Sequence, residues 1–198
     1  MPWEKQFDVE ATLEKAGEAF WTQGYEATSM SDLLRVMGIQ KGSFYNTYGS
    51  KHEVYLRALE QYASTSQTKI RELIAGKGAL ESLRAHFEMI YEDCISPNGH
   101  RGCMILNCAL ELAYQDRQAQ AIVKQGLARH ETLLRELIEA GQQTGEISQS
   151  LDSRATAKAL MSFVMGMRVY SRSGSEPETI RTLADQAIGL VTPAESVS

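Results

Sequence analysis

Hydroxyl and ammonium groups are concentrated in one short stretch of the sequence, residues 40–51. Lys41 and Lys51 carry positive charge, and hydroxyl groups occur at Ser43, Tyr45 and Thr47. Such groups can donate hydrogen bonds to phosphate oxygens, and Lys and Ser side chains can also reach base edges in the DNA major groove. The stretch is therefore a candidate contact surface for a nucleic acid.

The residues around these polar groups suit the same chemistry. Gly42 has no side chain, which would let a short helix lie close to a DNA backbone. Thr28 and Ser29 stand at the start of another predicted helix, where hydroxyl groups can also contact phosphate. We interpret Phe44 and Tyr48 as core residues that pack the short helix onto its neighbours.

Catalytic chemistry is not indicated. The sequence contains no Gly-x-Ser-x-Gly turn, no Gly-x-x-x-x-Gly-Lys phosphate loop, no Gly-x-Gly-x-x-Gly fingerprint and no His-Glu-x-x-His helix. We therefore expect no enzyme activity, no catalytic residues and no cofactor.

The three cysteines leave two interpretations open. Cys103 lies near a predicted helix start and close to Arg101, surroundings that favour a reactive thiolate and a role in sensing oxidants or electrophiles. In the other interpretation, Cys94, Cys103 and Cys108 are small buried hydrophobic residues. A zinc site built from Cys94, His100 and Cys103 lacks a Cys-x-x-Cys pair, so we expect no metal.

Length and charge bound the class of protein. The 198 residues suffice for one large domain or two small ones. The net charge of -5 does not by itself favour a nucleic-acid partner, but within residues 35–57 four basic residues stand against Glu53 alone. No apolar run suits a membrane span and no signal peptide is recognisable, so we expect a cytoplasmic protein without membrane contact.

Apolar residues recur with helical spacing almost throughout, which predicts an all-α chain without strands. Asp8, Ser29 and Ser175 are predicted to cap helices. Gly24 is predicted to end the first helix, and Gly141 with Gly145 to end the helix 117–140. The tail 193–198 is expected to be flexible. The predicted helices cover residues 9–23, 30–37, 40–46, 50–75, 79–95, 103–114, 117–140, 153–172 and 177–191.

Two short predicted helices, 30–37 and 40–46, are joined by a tight turn that contains Gly38. This is the layout of a helix-turn-helix, whose second helix enters the DNA major groove. The surrounding sequence reads FWTQGYEATSMSDLL at 20–34 and GIQKGSFYNTYGSK at 38–51. It closely resembles the DNA-binding domain of TetR/AcrR-family transcriptional regulators, whereas the remaining residues match that family only by helical pattern and length.

The resemblance implies a fold of about nine helices in two domains. Residues 1–50 would form a three-helix DNA-binding domain, and a long fourth helix would join it to a helical effector-binding and dimerisation domain at 51–192. The last two helices would pair two subunits, so that two reading helices match a palindromic operator in double-stranded DNA.

The resemblance also implies roles for individual side chains. In the family, residues at positions 40, 41 and 43 typically read bases, and residues at positions 45, 47 and 51 typically contact phosphates. The predicted DNA-contact set is Thr28, Ser29, Gln40, Lys41, Gly42, Ser43, Tyr45, Asn46, Thr47 and Lys51.

A small-molecule effector is the second partner that the resemblance implies. Its binding would shift the long fourth helix, move the DNA-binding domains of the two subunits apart and lower the affinity for the operator. Aromatic, Met and isolated polar residues on apolar faces are pocket candidates, although each also suits ordinary packing. The candidates are His86, Phe87, Met89, Ile90, Met104, Asn107, Glu111, His130, Phe163 and Met167, which together favour a mainly hydrophobic effector.

We therefore predict a homodimeric transcriptional repressor that a small molecule releases from its operator. One alternative is a repressor of the same fold that senses oxidants or electrophiles through a thiol. Another is a helical carrier or interaction protein that does not bind DNA.

Overall fold

A computed structural model describes residues 7–192, and the regular structure in this range is helical. None of its helices is long and apolar enough to cross a membrane. The helices are α1 (Val9–Gln23), α2 (Met30–Met37), α3 (Lys41–Tyr48), α4 (Lys51–Ile74), α5 (Ala79–Ile95), α6 (Met104–Glu111), α7 (Arg117–Thr144), α8 (Ser153–Arg172) and α9 (Pro177–Gly189), with a 3-10 turn at Gly99–Arg101. For residues 7–192 the prediction of nine helices and no strand is confirmed, while the predicted flexible tail 193–198 lies outside them.

Local hydrogen bonds set the starts of α1 and α2. The Asp8 carboxylate accepts hydrogen bonds from the backbone N–H groups of Glu10 and Ala11, at 2.9 and 3.2 Å. At α2, the Ser29 hydroxyl accepts from the Asp32 N–H at 3.1 Å, and the Asp32 carboxylate accepts from the Ser29 N–H at 3.2 Å. Both predicted caps are confirmed.

The chain divides into two compact units. The first comprises the described residues up to Thr65 together with Cys103–Gln125, and the second comprises Ser66–Gly102 together with the described residues from Gly126 onward. Helices α4 and α7 therefore each contribute residues to both units.

Helix α3 depends on burial in the first unit. It has eight residues, and an isolated helix of that length is not stable in water. Phe44 and Tyr48 are 0% and 1% exposed, which confirms their interpretation as core residues. The Tyr48 hydroxyl also donates to the Val9 carbonyl at 2.8 Å and contacts the Thr12 hydroxyl, so it ties α3 to the start of α1.

In the second unit, α5, α8 and α9 pack on one another around an aliphatic core. Arg181 binds both carboxylate oxygens of Glu88 on its surface, and Arg168 binds Asp93 at 3.0 Å. Because exposed ion pairs contribute at most about 1 kcal/mol each, the apolar core carries most of the stability of this unit. Fully buried members of that core include Leu83, Leu134, Ile138, Ile147 and Leu160.

The predicted end of α7 at residue 140 is wrong, whereas the predicted role of Gly145 agrees with the structure. The helix continues through Gly141 and ends after Thr144, where Gly145 adopts φ +80°. Gly141 lies against the Ile147 side chain, and a Cβ at Gly141 would come within 2.7 Å of two Ile147 carbon atoms. This glycine therefore permits close packing inside the helix and does not end it.

Three other predicted boundaries also need correction. Helix α3 runs beyond position 46 to Tyr48, because Tyr48 is part of the buried face. Helix α6 ends at Glu111, before the predicted 114, as the Leu112 and Ala113 N–H groups both turn back to the Cys108 carbonyl. The N-cap of α9 is Glu176, not Ser175, because Pro177 occupies the first helical position.

Replacing Tyr48 by Phe tests the tie between α3 and α1. The change removes the hydroxyl that contacts Val9 and Thr12, so we expect the free energy of unfolding to fall by about 1–3 kcal/mol in urea titrations. Tyr45→Phe, the same change at an exposed position of α3, is the matched control and should stay within about 0.5 kcal/mol of the parent. Equal stability of Tyr48→Phe and the parent would contradict the tie.

Candidate nucleic-acid interface

Helix α3 has one buried face and one exposed face. The two buried aromatic residues lie four positions apart and therefore share a side of the helix. Tyr45 is 45% exposed although it is aromatic, because it lies on the other side. The exposed residues of α3 are Lys41, Gly42, Tyr45 and Asn46. The Lys41 ammonium, the Tyr45 phenol and the Asn46 amide thus lie on the side of α3 opposite its buried face.

The flanks of the exposed face carry the remaining predicted contacts. Ser43 and Thr47 are half-buried, and Gln40 is exposed directly before the helix. Gln40 occupies the N-cap position without a side-chain capping bond. The polar groups on α3 therefore lie at or beside its exposed face, an arrangement suited to a helix that enters a groove.

Gly42 is not required by the fold itself. A Cβ built at this position would meet no atom within 4 Å, and the backbone of Gly42 does not have a positive φ. Neither packing nor backbone strain within the described residues demands a glycine here. A side chain at this position would therefore meet only groups that approach α3 from outside.

The two hydroxyl residues before α2 differ in exposure. Thr28 is fully buried, and its hydroxyl donates to the Gly24 carbonyl at 2.6 Å. Ser29 is exposed, and its hydroxyl donates to Asp32 at 2.6 Å. Hydrogen bonds from Ser29 and then from Arg35 lower the pKa of Asp32 to about 2. Of the two predicted phosphate contacts, Ser29 presents a surface hydroxyl, whereas the Thr28 hydroxyl serves the turn.

The start of α4 adds positive charge near the helix-turn-helix. The Lys51 ammonium lies 4.3 Å from the centre of the Tyr25 ring, which holds it by a cation–π contact. The Ser50 hydroxyl accepts a hydrogen bond from the Glu53 N–H at 3.1 Å. Free N–H groups in the first turn of a 24-residue helix add a partial positive charge at the same end.

Carboxylates from the 103–125 part of the first unit fix the turn before α2 and the start of α4. The two oxygens of Glu111 accept hydrogen bonds from the N–H groups of Tyr25 and Glu26, at 3.1 and 2.9 Å. Asp116 pairs with the Nε2 atom of His52. These contacts hold backbone and side chains adjacent to the DNA-contact candidates.

Gly24 is suited to this turn for two reasons. Its φ of +92° is a conformation that residues with a side chain rarely adopt. A Cβ at Gly24 would also lie 3.2 Å from both Glu111 carboxylate oxygens. The Glu111 carboxylate therefore leaves little room for a side chain at position 24 of the α1–α2 turn.

The predicted effector candidates divide between the two units. Met104, Asn107 and Glu111 lie on α6 in the first unit, and the Glu111 carboxylate is engaged by the α1–α2 turn. In the second unit, His86 and His130 contact each other through their Nε2 atoms at 2.8 Å. The other members there belong to the apolar core or pack against it, namely Phe87, Met89, Ile90, Phe163 and Met167.

The cysteines differ in burial. Burial raises the pKa of the Cys94 and Cys108 thiols, which disfavours their reactive thiolate forms. Cys103 is only partly buried and occupies the N-cap position of α6. Within residues 7–192, no three His, Cys, Asp or Glu side chains come together where they could hold a metal ion.

Known transcriptional regulators are similar to this chain over most of its length. The HTH-type transcriptional repressor ComR of Escherichia coli K12 is 27% identical over 188 residues, which cover 94% of this chain and 90% of ComR. A TetR-family regulator from Cytophaga hutchinsonii superposes with a TM-score of 0.84 at 18% identity, over 94% of this chain and 95% of that chain. A cysteine-substituted TetR-family regulator CifR, solved with 26-base-pair operator DNA, superposes with a TM-score of 0.83 at 22% identity, over 93% of this chain and 97% of that chain.

Two family models match two successive parts of the sequence. Residues 13–58 match the bacterial regulatory proteins of the tetR family, and residues 79–187 match the tetracyclin repressor-like C-terminal domain. A helix-turn-helix followed by such a helical domain defines a DNA-binding regulator of transcription and not an enzyme. The chain belongs to the tetR family of bacterial regulatory proteins.

Replacing Gly42 by Ala separates folding from DNA binding. In an exposed helix Ala is more favourable than Gly by up to about 1 kcal/mol, and the new methyl group has free space. We expect thermal unfolding to be unchanged or to occur at a higher temperature. Because the methyl group would stand between α3 and DNA, operator affinity should fall about tenfold or more, or about 1.4 kcal/mol, in fluorescence anisotropy titrations.

Gly17→Ala is the control for that variant. It makes the same change in α1, where the new Cβ would be in ordinary contact, 3.5 Å from the Ala58 Cβ. Its operator affinity should match that of the parent. Unchanged affinity of Gly42→Ala would contradict the close approach of α3 to DNA.

Proposed function

We propose that the protein is a homodimeric transcriptional repressor that binds a palindromic operator and is released by a small, mainly apolar effector. The observation that carries the proposal is the two-faced α3, with aromatic residues buried on one side and Lys41, Gly42, Tyr45 and Asn46 exposed on the other. If α3 served only to pack against its neighbours, no glycine would be needed at an outward position where a Cβ has free space.

The residues that read bases are Gln40, Lys41 and Ser43. Lys41 can donate to the O6 and N7 acceptors of guanine, and the Ser43 hydroxyl both donates and accepts, so it specifies bases weakly. Asn46 adds an exposed amide on the same helix.

Phosphate contacts belong to Tyr45, Thr47 and Lys51, with Ser29 at the start of α2. Their hydroxyl and ammonium groups fix the register of the helix on DNA without reading sequence. The whole DNA-binding segment remains acidic, with six Lys and Arg against nine Asp and Glu in residues 1–60. Non-specific binding is therefore weak, and affinity depends on a matched operator and falls quickly with salt.

Repression as the regulatory outcome is supported by the relatives. ComR is named a transcriptional repressor, and the CifR variant was solved on double-strand operator DNA. One reading helix covers only half a site, so two subunits related by a twofold axis place two copies of α3 on an inverted repeat.

Dimerisation is proposed through α8 and α9. Several apolar side chains of these helices are buried within the chain, including Leu160 and Val164 on α8 and Ile180 on α9. Apolar side chains that stay exposed are Val169, Tyr170 and Leu190, at 55%, 44% and 44%. Two small residues, Ala155 and Ser162, are also exposed on α8.

The functional division follows the sequence prediction, with DNA binding assigned to residues 1–50 and effector binding and dimerisation to residues 51–192. Effector binding moves the long α4 and, with it, the helix-turn-helix of each subunit. The effector is expected in the second unit, where most of the pocket candidates lie.

A thiol-based sensor of the same fold is the second candidate function, and Cys103 would be its sensing residue. It is the least buried of the three cysteines and sits at a helix start. The two functions differ in one outcome. If the thiol is the sensor, hydrogen peroxide releases operator from the parent but not from Cys103→Ser.

Selection of binding sites from random DNA, repeated with Val169→Glu, tests the proposed function. The parent should enrich an inverted repeat and sediment as a dimer. Val169→Glu places a charge in the proposed interface, so it should sediment largely as a monomer and lose most of its operator affinity.

Leu110→Glu is the matched control, because Leu110 is 83% exposed and lies on α6. It should remain dimeric and bind the enriched repeat. Recovery of no inverted repeat by the parent protein would favour a helical protein that does not bind DNA.

A further inference from the structure

Two histidines face each other inside the second unit. His86 on α5 and His130 on α7 join through their Nε2 atoms at 2.8 Å, with ring centres 4.9 Å apart and ring planes at 77°. His86 is 1% exposed, although histidine is seldom fully buried. At this distance one Nε2 carries the hydrogen and the other accepts it.

The pair is uncharged at neutral pH. Burial is the main cause that lowers the pKa of both rings, to about 4 for His130. The nearby positive charge of Arg168 lowers both values further. A neutral ring carries one N–H proton, so the direction of the hydrogen bond between the two Nε2 atoms determines whether His86 carries its proton on Nε2 or on Nδ1.

The Nδ1 atom of His86 is a buried polar atom without a hydrogen-bond partner among the described residues. Leaving such an atom unpaired costs about 1–3 kcal/mol, a loss that an apolar side chain here would avoid. Phe87 contacts the His86 ring with centres 5.8 Å apart, and Ile90 and Met167 are buried in the core of the same unit. The sequence thus retains a hydrogen-bonding group among side chains that are otherwise apolar.

The local charge favours an anion at this nitrogen. The Arg168 side chain is only 14% exposed, whereas its partner Asp93 is 61% exposed and is screened by water. The positive charge of Arg168 lowers the pKa of both histidines, although less than their burial does. An anion near the pair would be attracted by this charge.

We propose that the His86–His130 pair is the polar end of the effector site and selects small apolar molecules that carry a carboxylate. This inference rests on the proposed release by an effector and names the effector's chemical class. His130 Nε2–H donates to His86 Nε2, which leaves the proton of His86 on Nδ1. That N–H donates to the carboxylate, while the apolar body of the effector lies among the core side chains.

Calorimetry on the full-length protein without DNA tests the proposal. The probes are benzoate, 3-phenylpropionate and octanoate, each paired with its primary amide, which has nearly the same shape but no charge. At least one carboxylate should bind about tenfold more tightly than its amide, since hydrogen bonds to charged groups are roughly twice as strong as neutral ones. His86→Phe should reduce this preference to near one, whereas His100→Gln, at the exposed histidine of the 3-10 turn, should preserve it.

A second measurement avoids any variant. In the parent protein labelled with ¹⁵N-histidine, the carboxylate that binds should shift the Nδ1 resonance of His86 and leave His100 unchanged. Equal affinity for acid and amide, no binding of any carboxylate, or an unmoved His86 resonance would overturn the proposal. Because binding is measured without DNA, a carboxylate that binds but fails to release operator would count against the proposed function alone.

Discussion

The structure of the DNA-reading region depends on the burial of one side of an eight-residue helix. Helix α3 is too short to persist by itself, so the burial of Phe44 and Tyr48 must supply its stability. The Tyr48 hydroxyl also helps to position α3, because its hydrogen bond to the Val9 carbonyl holds α3 against α1. With one side anchored in this way, the other side is free to carry polar groups and a glycine that packing does not require.

Placement of the reading helix also depends on groups far away in the sequence. Glu111 binds the backbone of the turn between α1 and α2, and Asp116 binds His52 near the start of α4. The predicted DNA-contact residues therefore belong to a unit that includes Cys103–Gln125. In the second unit, by contrast, the notable polar feature is a buried pair of neutral histidines in an apolar core.

Local signals account for what the sequence predicted well. The caps at Asp8 and Ser29, the all-helical fold and the buried positions of Phe44 and Tyr48 follow from spacing within a few residues. Contacts across long stretches of chain had no such signal. Glu111 is predicted as a pocket residue, and nothing near it in the sequence indicates its contact with a turn 85 positions earlier. The sequence predicts a helix end at Gly141, because the contact of this glycine with Ile147 forms only in the folded chain.

The central claim is that the exposed face of α3 reads bases. It is tested most directly by measuring the affinities of Lys41→Ala and Tyr45→Phe for every single-base variant of the selected operator. Lys41→Ala should lose discrimination at one symmetric position in each half-site, by about 1–3 kcal/mol, and leave the other positions unchanged. Tyr45→Phe should weaken binding to all sequences alike, since it removes a phosphate contact. A uniform loss for Lys41→Ala, or unchanged binding by both variants, would contradict the claim.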